Sequence, residues 1–233
     1  MKRRSVKKSV SFQAHASDQN NASGDAQIEL PQRKKSLFNL PFHLPLILYS
    51  LFFSGLTNDP YKTMVKGLVN LVSTQIVYGF ILVRTQKAHS KWLSEAGSIL
   101  NNISLVAMST VMSLILSNAM FVVLVLFGAP LYGYRRETYL LACHLSIIVF
   151  QPALIHFRCD YRRMGKLFTQ GQFFTNVFHN QILCACLLAL LGSWLGVIPI
   201  PLDWDRPWQQ WPITILTGGY LGACVGSVLF LFL

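Results

Sequence analysis

The chain has 233 residues, of which 52% are hydrophobic and only 12% charged. So few charges cannot cover a soluble globule of this size, while several apolar runs reach spanning length, so the composition excludes a soluble domain and sets an all-α polytopic membrane protein. The net charge of +11 sits in short loops between apolar spans, where Lys and Arg orient the chain and meet anionic lipid, and this argues against nucleic acid as a partner.

Residues 1–36 run from the basic group Lys2, Arg3, Arg4, Lys7 and Lys8 into Ser, Asn, Asp, Gly and Gln. With few large apolar side chains they cannot bury enough surface to offset ordering entropy, and they read as a disordered cytosolic tail. No apolar core of about seven residues or more follows the basic start, so no cleavable signal peptide is expected. Arg33, Lys34 and Lys35 mark the membrane boundary.

The rest, 37–233, reads as a six-helix transmembrane domain. The first span covers 37–56, its beginning bent by Pro41 and Pro45; the second covers 64–83. The third, 103–127, is approached by the polar stretch Ser94 to Asn102, and the fourth, 138–157, is expected to be interrupted at Gln151-Pro152. A fifth covers 174–197 and the sixth 213–233. No internal repeat supports an inverted-repeat transporter.

Cationic loops resist translocation, so Lys and Arg outside the spans give the orientation. A cytosolic N-terminus gathers eight of them from the tail, then Arg84, Lys87 and Lys91, then Arg158, Arg162, Arg163 and Lys166 on one side. Lys62, Lys66, Arg135, Arg136 and Arg206 fall on the other. Both termini are therefore expected in the cytosol, with the sequons at Asn21 and Asn102 unmodified.

Cys143, Cys184, Cys186 and Cys224 lie within apolar spans and Cys159 beside a basic loop, in no pattern that reads as a disulfide framework or a zinc site. His144, His156 and His179 are scattered, and with Asn70, Gln75, Asn118, Asn180 and Gln181 they read as polar glue between helices. No cofactor and no metal are expected.

The last span carries Gly218, Gly222 and Gly226 at four-residue spacing, beside a second ridge of Gly219, Ala223 and Ser227. In lipid, small residues at this spacing let two backbones approach and gain dispersion contacts, and Gly192 and Gly196 in the fifth span offer the same surface. The pattern does not say whether the helix received there belongs to this chain or to another. Before the last span runs a loop holding Asp203, Trp204, Asp205, Arg206, Pro207, Trp208 and Trp211. Indoles with solvated charges suit the headgroup layer, and Pro199, Pro201, Pro207 and Pro212 restrict the backbone to few shapes.

Asp203-Trp204-Asp205 also has the Asp-x-Asp form that holds a divalent cation on a donor phosphate, which would make the chain a lipid-headgroup transferase in its own right. Against this, the face expected to be lumenal offers few other acids, Arg206 adjoins the pair, and no nucleophile or base lies near. Catalytic residues are expected to be none.

The string Leu202-Asp203-Trp204-Asp205-Arg206-Pro207-Trp208-Gln209, followed by Trp211-Pro212 and the glycine-spaced span, resembles the C-terminal signature of the PIG-F family of glycosylphosphatidylinositol (GPI) anchor biosynthesis, in its fungal form. The resemblance extends in general pattern over 37–233. It implies a non-catalytic subunit in the endoplasmic-reticulum membrane that stabilises a multi-pass ethanolamine-phosphate transferase, a PIG-O-like or PIG-G-like catalytic subunit. It also implies contact with membrane lipid, the GPI precursor included. On that reading the glycine groove packs against the transferase and the Trp-rich loop faces it or the lipid.

Overall fold

A computed structural model describes residues 37–87, 99–169, 173–202 and 204–232. The tail expected over 1–36, the stretch 88–98 and Asp203 lie outside the described residues. Among the described residues the chain is helical without strands: α1 (His43–Phe53), α2 (Pro60–Lys87), α3 (Ile99–Leu126), α4 (Arg135–His156), α5 (Tyr161–Thr169), α6 (Phe173–Phe178), α7 (Gln181–Leu195) and α8 (Ile213–Phe232). Short 3-10 turns, Leu37–Asn39 and Pro207–Gln209, precede α1 and α8.

Among the described residues four helices, α2, α3, α4 and α8, are long and apolar enough to cross a membrane. The expectation of six spans is met only in part, because the first and fifth are shorter than read. At 1.5 Å per residue the 11 residues of α1 rise about 16 Å and the 15 of α7 about 22 Å, less than a hydrocarbon core of about 30 Å.

Each discrepancy has a local cause. Pro45 fits the first turn of α1 because that turn needs no N–H from it, so Pro41 and Pro45 set where the helix begins. The fifth span breaks at His179-Asn180. There Asn180 is extended, and its Oδ1 accepts the N–H groups of Ile182 at 3.1 Å and Leu183 at 3.3 Å, capping α7. Conversely α4 runs unbroken through Pro152, against the interruption expected at Gln151-Pro152. One turn earlier the Cys186 thiol donates to the Val149 carbonyl at 3.1 Å, and Gln151 Nε2 donates to Thr110 Oγ1 at 2.7 Å, so neighbouring helices hold this stretch. Pro60 opens α2 four residues earlier than read, and α3 begins at Ile99.

Helix α4 is the axis of the bundle. Its apolar window is 83% buried, against 33% in α2, 28% in α3 and 44% in α8, and it touches α2, α3, α7 and α8. The outer helices leave Val111, Ile115, Val122, Leu221, Val225 and Val228 exposed, as lipid-facing surfaces require. At the end where the described chain begins, Asn39 joins three segments. Its carbonyl accepts the Tyr78 hydroxyl at 2.6 Å and the Ser227 hydroxyl at 3.4 Å, and its Oδ1 accepts Thr85 Oγ1 at 3.1 Å. The turns 54–60, 127–134 and 196–212 gather at the opposite end.

Candidate functional site

The glycine positions come together in one place. Helices α7 and α8 run antiparallel and form the most extensive pairing in the chain, and the register steps back four residues on α7 for every four on α8. A Cβ added at Gly218 would lie 2.8 Å from the Gly192 carbonyl carbon, one at Gly222 2.8 Å from that of Leu188, and one at Gly226 2.8 Å from Ala185 Cα. From the other side, a Cβ at Gly192 would meet Gly222 Cα at 3.0 Å and one at Gly196 would meet Ile215 Cα at 2.8 Å. Backbone touches backbone along the whole seam, so the groove of α8 is filled by α7 of the same chain. The expectation that a catalytic partner occupies it is corrected: no room remains for a second helix.

The polar side chains within the bundle behave as local ties. His144 is buried between α2 and α8, its Nδ1 2.8 Å from the Tyr220 hydroxyl and its Nε2 3.0 Å from the Met64 carbonyl. Gln75 meets His43 at 2.5 Å, Asn180 Nδ2 lies 3.0 Å from His156 Nε2, and Gln181 donates to Ser227 Oγ at 3.1 Å. Asn118 donates to its own turn, at the Ile115 carbonyl, and accepts the Tyr139 hydroxyl at 3.3 Å. Two readings fail: His179 is exposed rather than interhelical, and Asn70 points outward with no side-chain partner among the described residues.

The Trp-rich loop is fixed by a residue to which the sequence reading gave no role. Gln209 is buried; its Nε2 donates to the carbonyls of Pro199 at 2.7 Å and Leu202 at 2.9 Å, and its Oε1 accepts the Arg206 N–H at 2.8 Å. One amide thus adds a second hydrogen bond to two carbonyls that already accept the N–H groups of Leu202 and Trp204, and takes up the Arg206 N–H. Trp211 ties this turn to the next loop, since its indole N–H donates to Thr138 Oγ1 at 3.0 Å while Thr138 donates to the carbonyls of Pro130 and Tyr134. Asp205 adopts φ +47°, a left-handed conformation that Asp tolerates better than most residues. On this frame Trp204 and Trp208 remain exposed with ring centroids 5.8 Å apart.

Charge at this end is mixed. Arg206, though it adjoins Asp205 in sequence, is exposed and makes no ion pair with it; Asp203 lies outside the described residues. Asp59 Oδ1 accepts the Lys62 N–H at 3.1 Å and its Oδ2 pairs with Lys62 Nζ at 2.9 Å, and this backbone bond first, then the ammonium, holds the carboxyl below its usual range. Arg136 stacks over the Tyr61 ring at 5.8 Å. The arrangement is a rigid, indole-bearing surface.

Gln209→Leu should loosen that surface. The Arg206 N–H loses its partner and two carbonyls lose the tie that joins them to it, at about 1–3 kcal/mol for a group left unpaired, so amide exchange over 204–209 should rise about tenfold while α8 exchange stays unchanged. Unaltered exchange in the loop would show that the side chain does not hold it.

A profile of the GPI biosynthesis protein family Pig-F matches residues 39–231. The relatives that match include proteins named glycosylphosphatidylinositol anchor biosynthesis protein 11. That of Debaryomyces hansenii is 43% identical over 99% of this chain and 98% of its own. That of Candida albicans is 40% identical over 98% and 96%, and that of Saccharomyces cerevisiae 31% identical over 96% and 94%. No solved structure matches.

Proposed function

The chain belongs to the Pig-F family of GPI biosynthesis proteins, and we propose that it serves GPI-anchor assembly as a non-catalytic subunit that stabilises an ethanolamine-phosphate transferase in the endoplasmic-reticulum membrane. The observation that carries this reading is the Gln209-locked turn, which presents Trp204 and Trp208 to the outside on a backbone that cannot relax around them. Exposed tryptophans on a rigid support lose little conformational freedom when covered, the usual property of an interface anchor.

In this reading the partner is a multi-pass catalytic subunit. The α7–α8 seam works inside the chain to aim the turn, and contact is made at the end of the bundle. The first and fifth apolar segments, though short as helices, complete six crossings with their flanking residues, which leaves both termini cytosolic and the Trp-rich turn in the lumen beside the GPI lipid.

The test uses cells carrying a tagged copy. With Trp204→Ala, Trp208→Ala the co-purified transferase should fall roughly tenfold or more, as loss of a buried tryptophan anchor does elsewhere, while activity per transferase molecule is unchanged. The double variant Asp203→Asn, Asp205→Asn separates the alternative. Normal transferase abundance with ethanolamine-phosphate transfer abolished would replace this proposal by a chain that is itself the transferase, using the two carboxylates and a divalent metal.

A further inference from the structure

Where α1 meets α2, each helix contributes one face at helical spacing: Ile47, Ser50, Leu51 and Ser54 from α1, and Thr63, Lys66, Gly67 and Asn70 from α2. They line a shallow, open cleft whose interior is only about 20 Å³. Leu51 packs over Gly67, where a Cβ would come within 3.3 Å of the leucine Cγ, so the absence of a side chain there lets the helices close beneath the cleft. The groups left on the rim are polar: hydroxyls of Ser50 and Ser54, the Asn70 amide and the Lys66 ammonium, all on exposed residues. The Thr63 hydroxyl lies behind them on a buried residue.

This cluster is out of place for a helix face turned to lipid. Lys66 lies inside the apolar segment Pro60–Thr85, about 9 Å along the axis from its start. Ionisable groups at such depth normally find a protein partner or mark a binding site. Lys66 makes no hydrogen bond or ion pair among the described residues. The nearest acid, Asp59, is committed to Lys62 at 2.9 Å, although its carboxyl also feels the Lys66 charge. The side-chain amide of Asn70, one turn deeper, likewise makes no hydrogen bond among the described residues.

We propose that the rim of this shallow cleft binds the phosphate of an anionic membrane phospholipid. A single ammonium surrounded by neutral donors matches a group with one charge and several acceptor oxygens. The source is a lipid rather than free phosphate because the cleft opens sideways. Beside it the exposed apolar residues Leu46, Tyr49, Val65 and Val69 continue along α1 and α2, where acyl chains lie. This site is distinct from the Trp-rich turn and does not depend on which subunit the chain serves.

The test is lipid retention by the full-length purified chain in phosphatidylcholine nanodiscs, with and without phosphatidylinositol, read by mass spectrometry of the eluted complex and by thermal unfolding. Phosphatidylinositol should be retained in preference to phosphatidylcholine and should raise the unfolding temperature. Lys66→Gln should weaken retention about tenfold, as expected for one charge-assisted contact, whereas Lys66→Arg and Lys62→Gln should retain the lipid. Lys66 is exposed, so helix content by circular dichroism should not change. Equal retention by Lys66→Gln and the parent chain overturns the proposal, as does a thermal shift fully reproduced by inorganic phosphate. Unchanged lipid retention together with loss of a co-purified membrane subunit in Lys66→Gln also overturns it, and gives the cleft to a partner's carboxylate.

Discussion

Gly222→Leu should destabilise the chain itself rather than only detach a partner. A side chain at Gly222 begins 2.8 Å from the Leu188 carbonyl carbon and 3.1 Å from Ala189 Cα, so it meets main chain, which cannot swing aside as a flexible side chain can. Helix association in lipid has little hydrophobic drive and depends on close approach, so separating α7 from α8 removes the main source of their attraction. Overpacking in a close-fitted core costs about 1–3 kcal/mol even where side chains can adjust. Here about 3 kcal/mol or more is expected, a fall of roughly 6 °C or more in unfolding temperature. The measurement is the fraction of monodisperse protein surviving stepwise heating in mild detergent, followed by size-exclusion chromatography. Gly165→Ala is the control, because a Cβ there meets nothing within 4 Å and alanine favours the α5 helix. If Gly222→Leu survives heating like the parent chain, the seam does not hold the fold together.

The same seam shows what the sequence made legible. Four-residue glycine spacing in the last span announced a close helix contact, and the spacing is what places Gly218 on Gly192 and Gly222 on Leu188. The identity of the neighbour was not legible, because small residues permit approach by any backbone. Only the fold supplies α7, which the chain delivers through a turn of fixed shape. The four long helices were visible from apolar length alone.

Helix ends were harder to read, since they depend on which polar group caps and which packs. Asn180 reads in the sequence as interhelical glue and is also the N-cap that splits the fifth span, because one amide has enough donors and acceptors to do both. Pro152 gave the opposite error: a local rule against proline in helices yielded to the tertiary support of α4. At the candidate site the tryptophans were conspicuous in the sequence. Gln209 was not, because a glutamine between aromatic residues gives no sign that its amide will meet the carbonyls of Pro199 and Leu202.

His144→Leu should cost about 3 kcal/mol, from two lost hydrogen bonds and the polar groups left behind at about 1–3 kcal/mol each. The Met64 carbonyl can only accept, so Nε2 must carry the ring hydrogen; Nδ1 then accepts the Tyr220 hydroxyl. The imidazole therefore joins α2 to α8 through α4, with all three groups out of reach of water. Removing it strands the Tyr220 hydroxyl in an apolar interior, a worse outcome than removing both partners together. A double-mutant cycle makes this quantitative. Tyr220→Phe should cost about 1 kcal/mol in the parent chain and nothing, or even stabilise, in the His144→Leu background, giving a coupling of about 1–2 kcal/mol. The readout is the thermal unfolding midpoint of the four purified chains in one detergent. Additive losses would mean that the two rings do not share a bond, and the bundle would then owe its α2–α8 alignment to apolar packing and the Asn39 junction at the far end.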